Sequence, residues 1–322
     1  MDEIKNVLFS VCGMPVTLYA LCVVIALALG LLMLGLEQKR QHLSPDTAEI
    51  FALLALPLGL IGARLFYCLC RLNLYLEMGL INILRLWDGG YALWGAVGGA
   101  VAAALLTAKI TRQSAVKLLD ALAAPAALTI ALCRVAELAN GEGIGMEVSS
   151  AFFQRFPFAV YDPDWEVWFW AICVQEGVAA LVIACILLAR QSAVPGEKAK
   201  LFCILYCSSQ ILLESLRRDQ FLRWLFVRVS QLTAVLVLGG LMFWALYRWV
   251  KAPADRRMPK KQLIWNWVIF LAGVGICIAM EFAVDKAAFM PVWLCYTIML
   301  ICCGVFGYTS YQLILKGTGA KQ

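Results

Sequence analysis

The chain has 322 residues, 63% hydrophobic and 15% charged, with a formal net charge of +6. Soluble proteins are about half apolar, so this composition excludes a soluble globular domain and calls for a multi-pass membrane protein. His42 is the only histidine, which excludes a His-based triad or a His-rich metal site, and the thirteen cysteines lack the paired spacing of a zinc framework.

A membrane span needs about 20 mostly apolar residues, and continuous apolar runs of that length cross as helices. Nine are predicted, near 14–36, 49–70, 91–110, 115–138, 168–189, 200–216, 229–250, 264–284 and 291–315. Met1-Asp2-Glu3-Ile4-Lys5 lacks the basic start of a cleaved signal peptide, so the first span is expected to stay. Ser44-Pro45-Asp46 reads as the start of the second helix.

Residues 71–90 are too polar to cross but carry a row of leucines and Trp87, which predicts an amphipathic arm in the outer interface. In the third span Gly95, Gly99 and Ala103 recur every four residues, a spacing that lets helix backbones approach closely. The segment 140–167 mixes Glu142, Glu147, Asp162, Asp164 and Glu166 with six aromatic residues, which suits a small outer cap at headgroup level. A basic, Pro-punctuated linker at 251–263 separates a core over 1–250 from an added hairpin over 264–322, whose Glu281 and Asp285 read as belonging to a peripheral element. The predicted fold is all-α: a polytopic transmembrane helical bundle of seven core spans plus a C-terminal two-helix hairpin.

With the N-terminus outside, 16 Lys and Arg residues fall on the cytoplasmic side and nine on the outer side, with Arg64 and Arg134 inside spans. Positive loops stay in the cytoplasm, so the N-out, C-in arrangement is predicted. The basic residues from Arg217 to Arg228 run against this bias. The positive charge then faces the anionic inner leaflet, and nucleic acid is not an expected partner.

Arg134 ends the fourth span in Cys133-Arg134-Val135-Ala136-Glu137-Leu138-Ala139-Asn140-Gly141-Glu142-Gly143-Ile144-Gly145. An ionised side chain at mid-bilayer costs roughly 2.5 to 3.5 kcal/mol on insertion scales, so several near one another imply a polar cavity. Arg134, Asn140, Gly141, Glu142 and Gly145 stand at the offsets of the Gly-Arg-x-x-Asn-Phe-x-Asn-Gly-Glu-x-x-Gly signature, and here the chain resembles the bacterial prolipoprotein diacylglyceryl transferases.

Further segments resemble that family in order: Tyr19-Ala20, Gly62-Ala63-Arg64-Leu65 with Tyr67, Trp87-Asp88-Gly89-Gly90, Asp120 with Ala124-Pro125, Glu214 with Arg217, and Gln231. The resemblance covers about residues 14–250. Three positions depart from it: Trp94 stands where the family has His, Glu137 where it has Asn, and Gln210 where it has Arg. The His-Pro-x-Gln-Leu-Tyr-Glu stretch of the family is reduced to Glu176.

The resemblance implies an enzyme of the bacterial cytoplasmic membrane that moves a diacylglyceryl group from phosphatidylglycerol to the lipobox cysteine of a prolipoprotein, without a cofactor or metal. A cation must meet the leaving phosphate and a base must take the thiol proton. Arg134, Glu142 and Glu214 are the candidate catalytic residues. Arg64, Tyr19, Asn140, Gly141, Gly145, Arg217, Glu137 and Trp94 are candidates for substrate binding, and Arg134 is expected to face an outward-opening pocket with Glu142 and Glu214.

The bland alternatives stay open here. Arg134–Glu137 and Glu214–Arg217, each three residues apart on a helix, also fit structural ion pairs. Trp94 also fits an interfacial anchor. The three departures favour a second reading, a catalytically impaired paralogue that binds lipid or prelipoprotein. A transporter is a third class, but no inverted repeat or broken-helix pair supports it.

Overall fold

The computed structural model describes residues 7–11, 14–86, 89–191, 194–218, 222–224, 227–253, 257–286 and 290–316. The sequence readings at Met1 to Lys5 and at Trp87 and Asp88 lie outside the described residues.

A short hairpin of β1 (Val7–Val11) and β2 (Met14–Thr17) leads into α1 (Leu18–Arg40), whose first turn is capped by the Thr17 hydroxyl accepting from the Ala20 amide. The second helix, α2 (Thr47–Cys70), is followed by the short α3 (Leu72–Met78) and a 3-10 turn at Leu80–Leu84. These last two form the predicted arm, which exposes Leu74, Leu76, Leu80, Ile81 and Leu84. Then come α4 (Leu93–Ile110) and α5 (Ala115–Ala136), with a 3-10 turn at Glu137–Asn140.

The cap is a three-stranded antiparallel sheet of β3 (Ile144–Glu147), β4 (Ala159–Asp162) and β5 (Val167–Ala171), with β5 in the middle. The remaining helices are α6 (Ile172–Ala189), α7 (Glu197–Leu216), α8 (Val229–Lys251), α9 (Lys260–Lys286) and α10 (Val292–Tyr311). A two-stranded ribbon, β6 (Arg223–Trp224) and β7 (Val227–Arg228), lies just before α8. Among the described residues nine helices are long and apolar enough to cross a bilayer, and the strands are confined to short pieces between them, so the architecture is an all-α membrane bundle.

Two packing features position the site. The glycines of α4 meet α2 backbone to backbone: a Cβ at Gly95 would fall 2.2 Å from the Gly62 carbonyl oxygen, and one at Gly99 2.1 Å from that of Leu58. No side chain fits there, so this pair of helices owes its closeness to glycine.

The second feature is α5, the most buried helix of the first half. Its N-terminal part holds Asp120, whose carboxylate accepts from the amides of Gly196 and Ala199 (2.9 Å for Ala199) and so receives the start of α7. Its other end carries Arg134.

The hairpin departs from the sequence expectation. The helices α9 and α10 are not peripheral: Phe270, Cys277, Met299, Cys302, Cys303 and Phe306 share the largest hydrophobic cluster with Ile204, Cys207 and Ile211 of α7 and Leu238, Met242 and Trp249 of α8. The linker is short and folded back, with the Trp249 indole donating to the Met258 carbonyl at 2.8 Å. Apolar burial explains the packing, because α10 covers the side of α7 that α5, α6 and α8 leave open.

Candidate active site

Three successive spans bring charged side chains to the same end of the bundle. Arg134 closes α5, Glu176 enters on the first turn and a half of α6, and Glu214 with Arg217 ends α7. Because α5 and α7 run toward that end and α6 runs away from it, residues far apart in sequence converge.

The centre is a four-membered ring of charges. The Arg134 guanidinium donates to Glu137 Oε1 at 2.7 Å, and its Nε lies 3.3 Å from Glu176 Oε2. Arg217 closes the ring, with Nη2 2.9 Å from Glu137 Oε2 and Nη1 donating to Glu176 Oε2 at 2.9 Å. The side chains are almost sealed: Glu176 is fully buried, and Arg217, Arg134 and Glu137 keep 6%, 9% and 13% of their exposure. Buried charges survive only when paired and hydrogen-bonded, and the ring meets that condition with two guanidiniums facing two carboxylates. Among the described residues Glu176 Oε1 has no hydrogen-bond partner, and Glu137 Oε2 and Arg134 Nε are held by ion pairs without a well-aligned hydrogen bond, so the ring keeps polar capacity to spare.

Around the ring stand the residues at which the chain departs from the family. Gln210 Oε1 lies 3.4 Å from Arg134 Nη2. Tyr206, one turn earlier on α7, is buried within electrostatic range of Arg134, stacks on Phe202, and meets the Trp94 ring at 6.2 Å between centroids. Trp94 therefore packs inward, against two core clusters, rather than serving as an interfacial anchor.

The turn beyond α5 closes over Glu137. Gly141 adopts the left-handed conformation with φ 68°. Gly143, also at positive φ, passes so close that a Cβ would fall 2.5 Å from that of Cys173 and 2.9 Å from Glu137 Oε2. Only glycine satisfies both the backbone and the space. Asn140 ends the 3-10 turn, and Gly145 lies where β3 crosses Ile172 and the Leu216 carbonyl. Tyr19 on α1 lies near Glu137, Cys133 and Glu142 on the open side of the turn.

Several sequence expectations are corrected by this geometry. Glu142 is exposed on the turn, its amide tied to the Glu137 carbonyl, and it is not a member of the ring of ion pairs. Arg217 is bonded into the ring, and Glu214 has Arg228 beside it, with Nη1 3.9 Å from Oε1. Arg228 also donates to the Arg217 carbonyl, tying the start of α8 to the end of α7.

Arg64 is buried but serves the arm: Nη2 donates to the Asn82 carbonyl at 2.9 Å, Nε to that of Ile83 at 3.1 Å, and Nη1 to that of Gly89, with Tyr75 below its plane. The outward pocket expected around residues 134, 142 and 214 is thus a ring of 134, 137, 176 and 217, flanked by Glu214.

Glu176, Tyr206 and Arg228 were not among the predicted site residues. Glu176 was visible as the only acidic or basic residue of α6. Tyr206 forms one stripe with Gln210 and Glu214 at intervals of four, a pattern that also describes ordinary packing. Arg228 was visible in the basic residues that break the cytoplasmic bias.

Comparison with known proteins identifies the family. The family model for prolipoprotein diacylglyceryl transferase matches residues 6–247. A relative named phosphatidylglycerol–prolipoprotein diacylglyceryl transferase from Oceanobacillus iheyensis is 26% identical over 246 residues, covering 73% of this chain and 85% of the relative. Those of the same name from Shouchella clausii (26% over 265 residues, 79% and 94% covered) and Streptococcus pyogenes serotype M5 (27% over 250 residues, 72% and 91% covered) give the same picture. The match begins before α1 and ends within α8, so it takes in every member of the charged ring, and the chain belongs to the prolipoprotein diacylglyceryl transferase family.

Proposed function

We propose that this protein transfers the diacylglyceryl group of phosphatidylglycerol to the lipobox cysteine thiol of a prolipoprotein. The observation that carries the reading is the pair of buried guanidiniums, Arg134 and Arg217, held at one end of the bundle by two carboxylates within a chain that belongs to this family.

In this reading the cysteine sulfur attacks the glycerol carbon that carries the phosphate. A carbon–sulfur bond forms as the carbon–oxygen bond breaks, glycerol phosphate leaves with the bonding electron pair, and the thiol proton passes to a carboxylate. Arg134 and Arg217 meet the leaving phosphate, a task suited to permanently charged, planar forks. Glu176, with one oxygen unpartnered, and Glu214, whose Oε2 is also unpartnered, are the bases the geometry favours over Glu142. Tyr19, Asn140, Gly141 and Gly145 border the headgroup on the side of the turn, and Trp94 with Tyr206 borders it from the membrane interior. Arg64 contributes by fixing the arm.

Glu137 is the brake in this mechanism. An Asn at this position hydrogen-bonds without charge, whereas Glu137 occupies both guanidiniums that the phosphate would need. That observation favours the second reading, a paralogue that holds lipid or prelipoprotein without turnover. The bias of Lys and Arg supports the N-out, C-in orientation in a bacterial cytoplasmic membrane, with the ring on the outer side.

The test is transfer of labelled diacylglyceryl from phosphatidylglycerol to a lipobox peptide by the purified protein in lipid nanodiscs. A thioether-linked product supports the proposal. Retained phosphatidylglycerol binding without product selects the second reading.

A further inference from the structure

The hairpin over 260–316 lies beyond the family match, yet it reaches the polar end of the bundle. Glu281 is the only acidic or basic side chain of α9 between Lys261 and Asp285. Placing a carboxylate in such a helix is unfavourable unless it has a defined polar partner. One such partner is Gln231 on α8, whose Nε2 donates to Glu281 Oε2 at 2.9 Å and to the Ile211 carbonyl of α7 at 3.2 Å. The Ile211 carbonyl is an obligate acceptor, so the carboxamide has one orientation, with its nitrogen between that carbonyl and Glu281 and its oxygen turned the other way.

The contact sits at a mechanically sensitive place. Ile211 is one turn before Glu214 on α7, and Gln231 is one turn after Arg228 on α8. Arg228 in turn holds the Arg217 carbonyl and approaches Glu214. A single amide therefore ties three helices together immediately beneath the corner that carries Arg217 into the ring.

The rest of the hairpin is seated to hold that amide in place. Along α10, Cys303 lies against the backbone of Leu212, and Gly307 faces Ser208, whose Oγ would be 3.9 Å from a Cβ there. At the far end Tyr311 meets Arg190, the residue that pairs with Glu197 at the start of α7. The hairpin grips α7 at both ends.

We propose that the hairpin is a working part of the site, and that Glu281, acting through Gln231, is a positioning residue for Arg217. This rests on the transfer reading above, since it concerns the guanidinium assigned there to the leaving phosphate.

The experiment compares Glu281→Ala, Glu281→Gln, Gln231→Ala and the double variant Glu281→Ala/Gln231→Ala in nanodiscs, with thermal unfolding, phosphatidylglycerol affinity and transfer kinetics measured on each. Expected for Glu281→Ala is a fall of about tenfold in kcat, with KM for the peptide changed less than threefold and more than nine-tenths of the protein folded at the assay temperature. Glu281→Gln keeps an acceptor oxygen for Gln231 and is expected to retain at least a third of the wild-type kcat. The double variant should be no worse than the worse single one, because both remove the same contact.

Full activity in Glu281→Ala, loss that tracks the unfolded fraction, additive losses, or equal loss in Glu281→Gln each overturns the proposal. Wild-type protein without transfer activity defeats the transferase reading instead. Phosphatidylglycerol affinity then decides this inference: weakening in Glu281→Ala restored in Glu281→Gln supports it, and no change overturns it.

Discussion

Glu137 decides how the ring treats an incoming phosphate. Its two oxygens are divided between Arg134 and Arg217, so an anionic headgroup must displace a carboxylate from both. Replacing Glu137 by Asn should tighten phosphatidylglycerol binding by about tenfold, roughly 1.4 kcal/mol, as read by titration of lipid into protein in a neutral detergent. Unchanged affinity would mean that the headgroup docks elsewhere.

Arg134 and Arg217 should not tolerate lysine, whose single ammonium cannot span two carboxylates. For Arg134→Lys we expect at least a hundredfold loss of transfer with the fold intact by thermal unfolding, while Arg218→Lys, whose side chain lies outside the ring, should stay within twofold of wild type.

At this scale the sequence was only partly legible. Arg134 and Glu137 announced themselves through a motif and an i,i+3 spacing, and Arg217 through its place at the end of a span. The pairing did not, because Glu214 and Arg217 are three apart on α7 and look self-satisfied, whereas Arg217 turns across to α5 and α6. Glu142 carries the opposite lesson: the motif names it, and the structure leaves it exposed on the turn between the left-handed Gly141 and Gly143.

Among the elements, the helices were readable because lipid leaves a backbone few alternatives. The strands of the cap were not, since 144–171 carries charges and aromatics without the alternation of a longer strand. The spacing of Gly95 and Gly99 predicted close packing, and the structure adds the partner, α2. Gly99→Leu should therefore be among the most damaging changes in the apolar part of the molecule. Its side chain would meet the Leu58 and Gly59 backbone, which cannot swing aside. We expect a loss of more than about 2 kcal/mol, the range of severe overpacking, seen as a clear drop in the unfolding midpoint in detergent. Gly98→Leu, with open space at that position, is the control and should change little.

For Arg64 the element at stake is the arm. Without its guanidinium the carbonyls of Asn82, Ile83 and Gly89 lose their shared donor. Arg64→Ala should then raise amide exchange across residues 72–86, with exchange in α5 and α6 unchanged.

For the whole molecule, the sequence divided the chain at residue 250 and treated the C-terminal hairpin as an appendage. Composition could not reveal that α10 fits along α7, because α10 is apolar all round and so marks no single face for a partner, and small residues in contact, such as Ser208 and Gly307, carry no signal of their own. The charge count had a similar blind spot. The basic residues from Arg217 to Arg228 weakened the orientation argument when counted as loop charge, yet Arg217 and Arg228 are buried and paired with Glu176, Glu137 and Glu214. Removed from the tally, they no longer oppose an outer location for that end. A fluorescent protein fused after Gln322 should accordingly mature and fluoresce, and alkaline phosphatase fused there should stay inactive; the reverse result would invert the orientation.

The contact between α2 and α4 has a mechanical consequence. Two helices that touch through bare backbone cannot slide or part without losing the fit altogether, and Arg64 bolts the interfacial arm onto the same pair. Together they make one stiff leaf of the bundle, so a bulky two-tailed molecule entering from the bilayer has to pass along the margin of that leaf rather than through its middle.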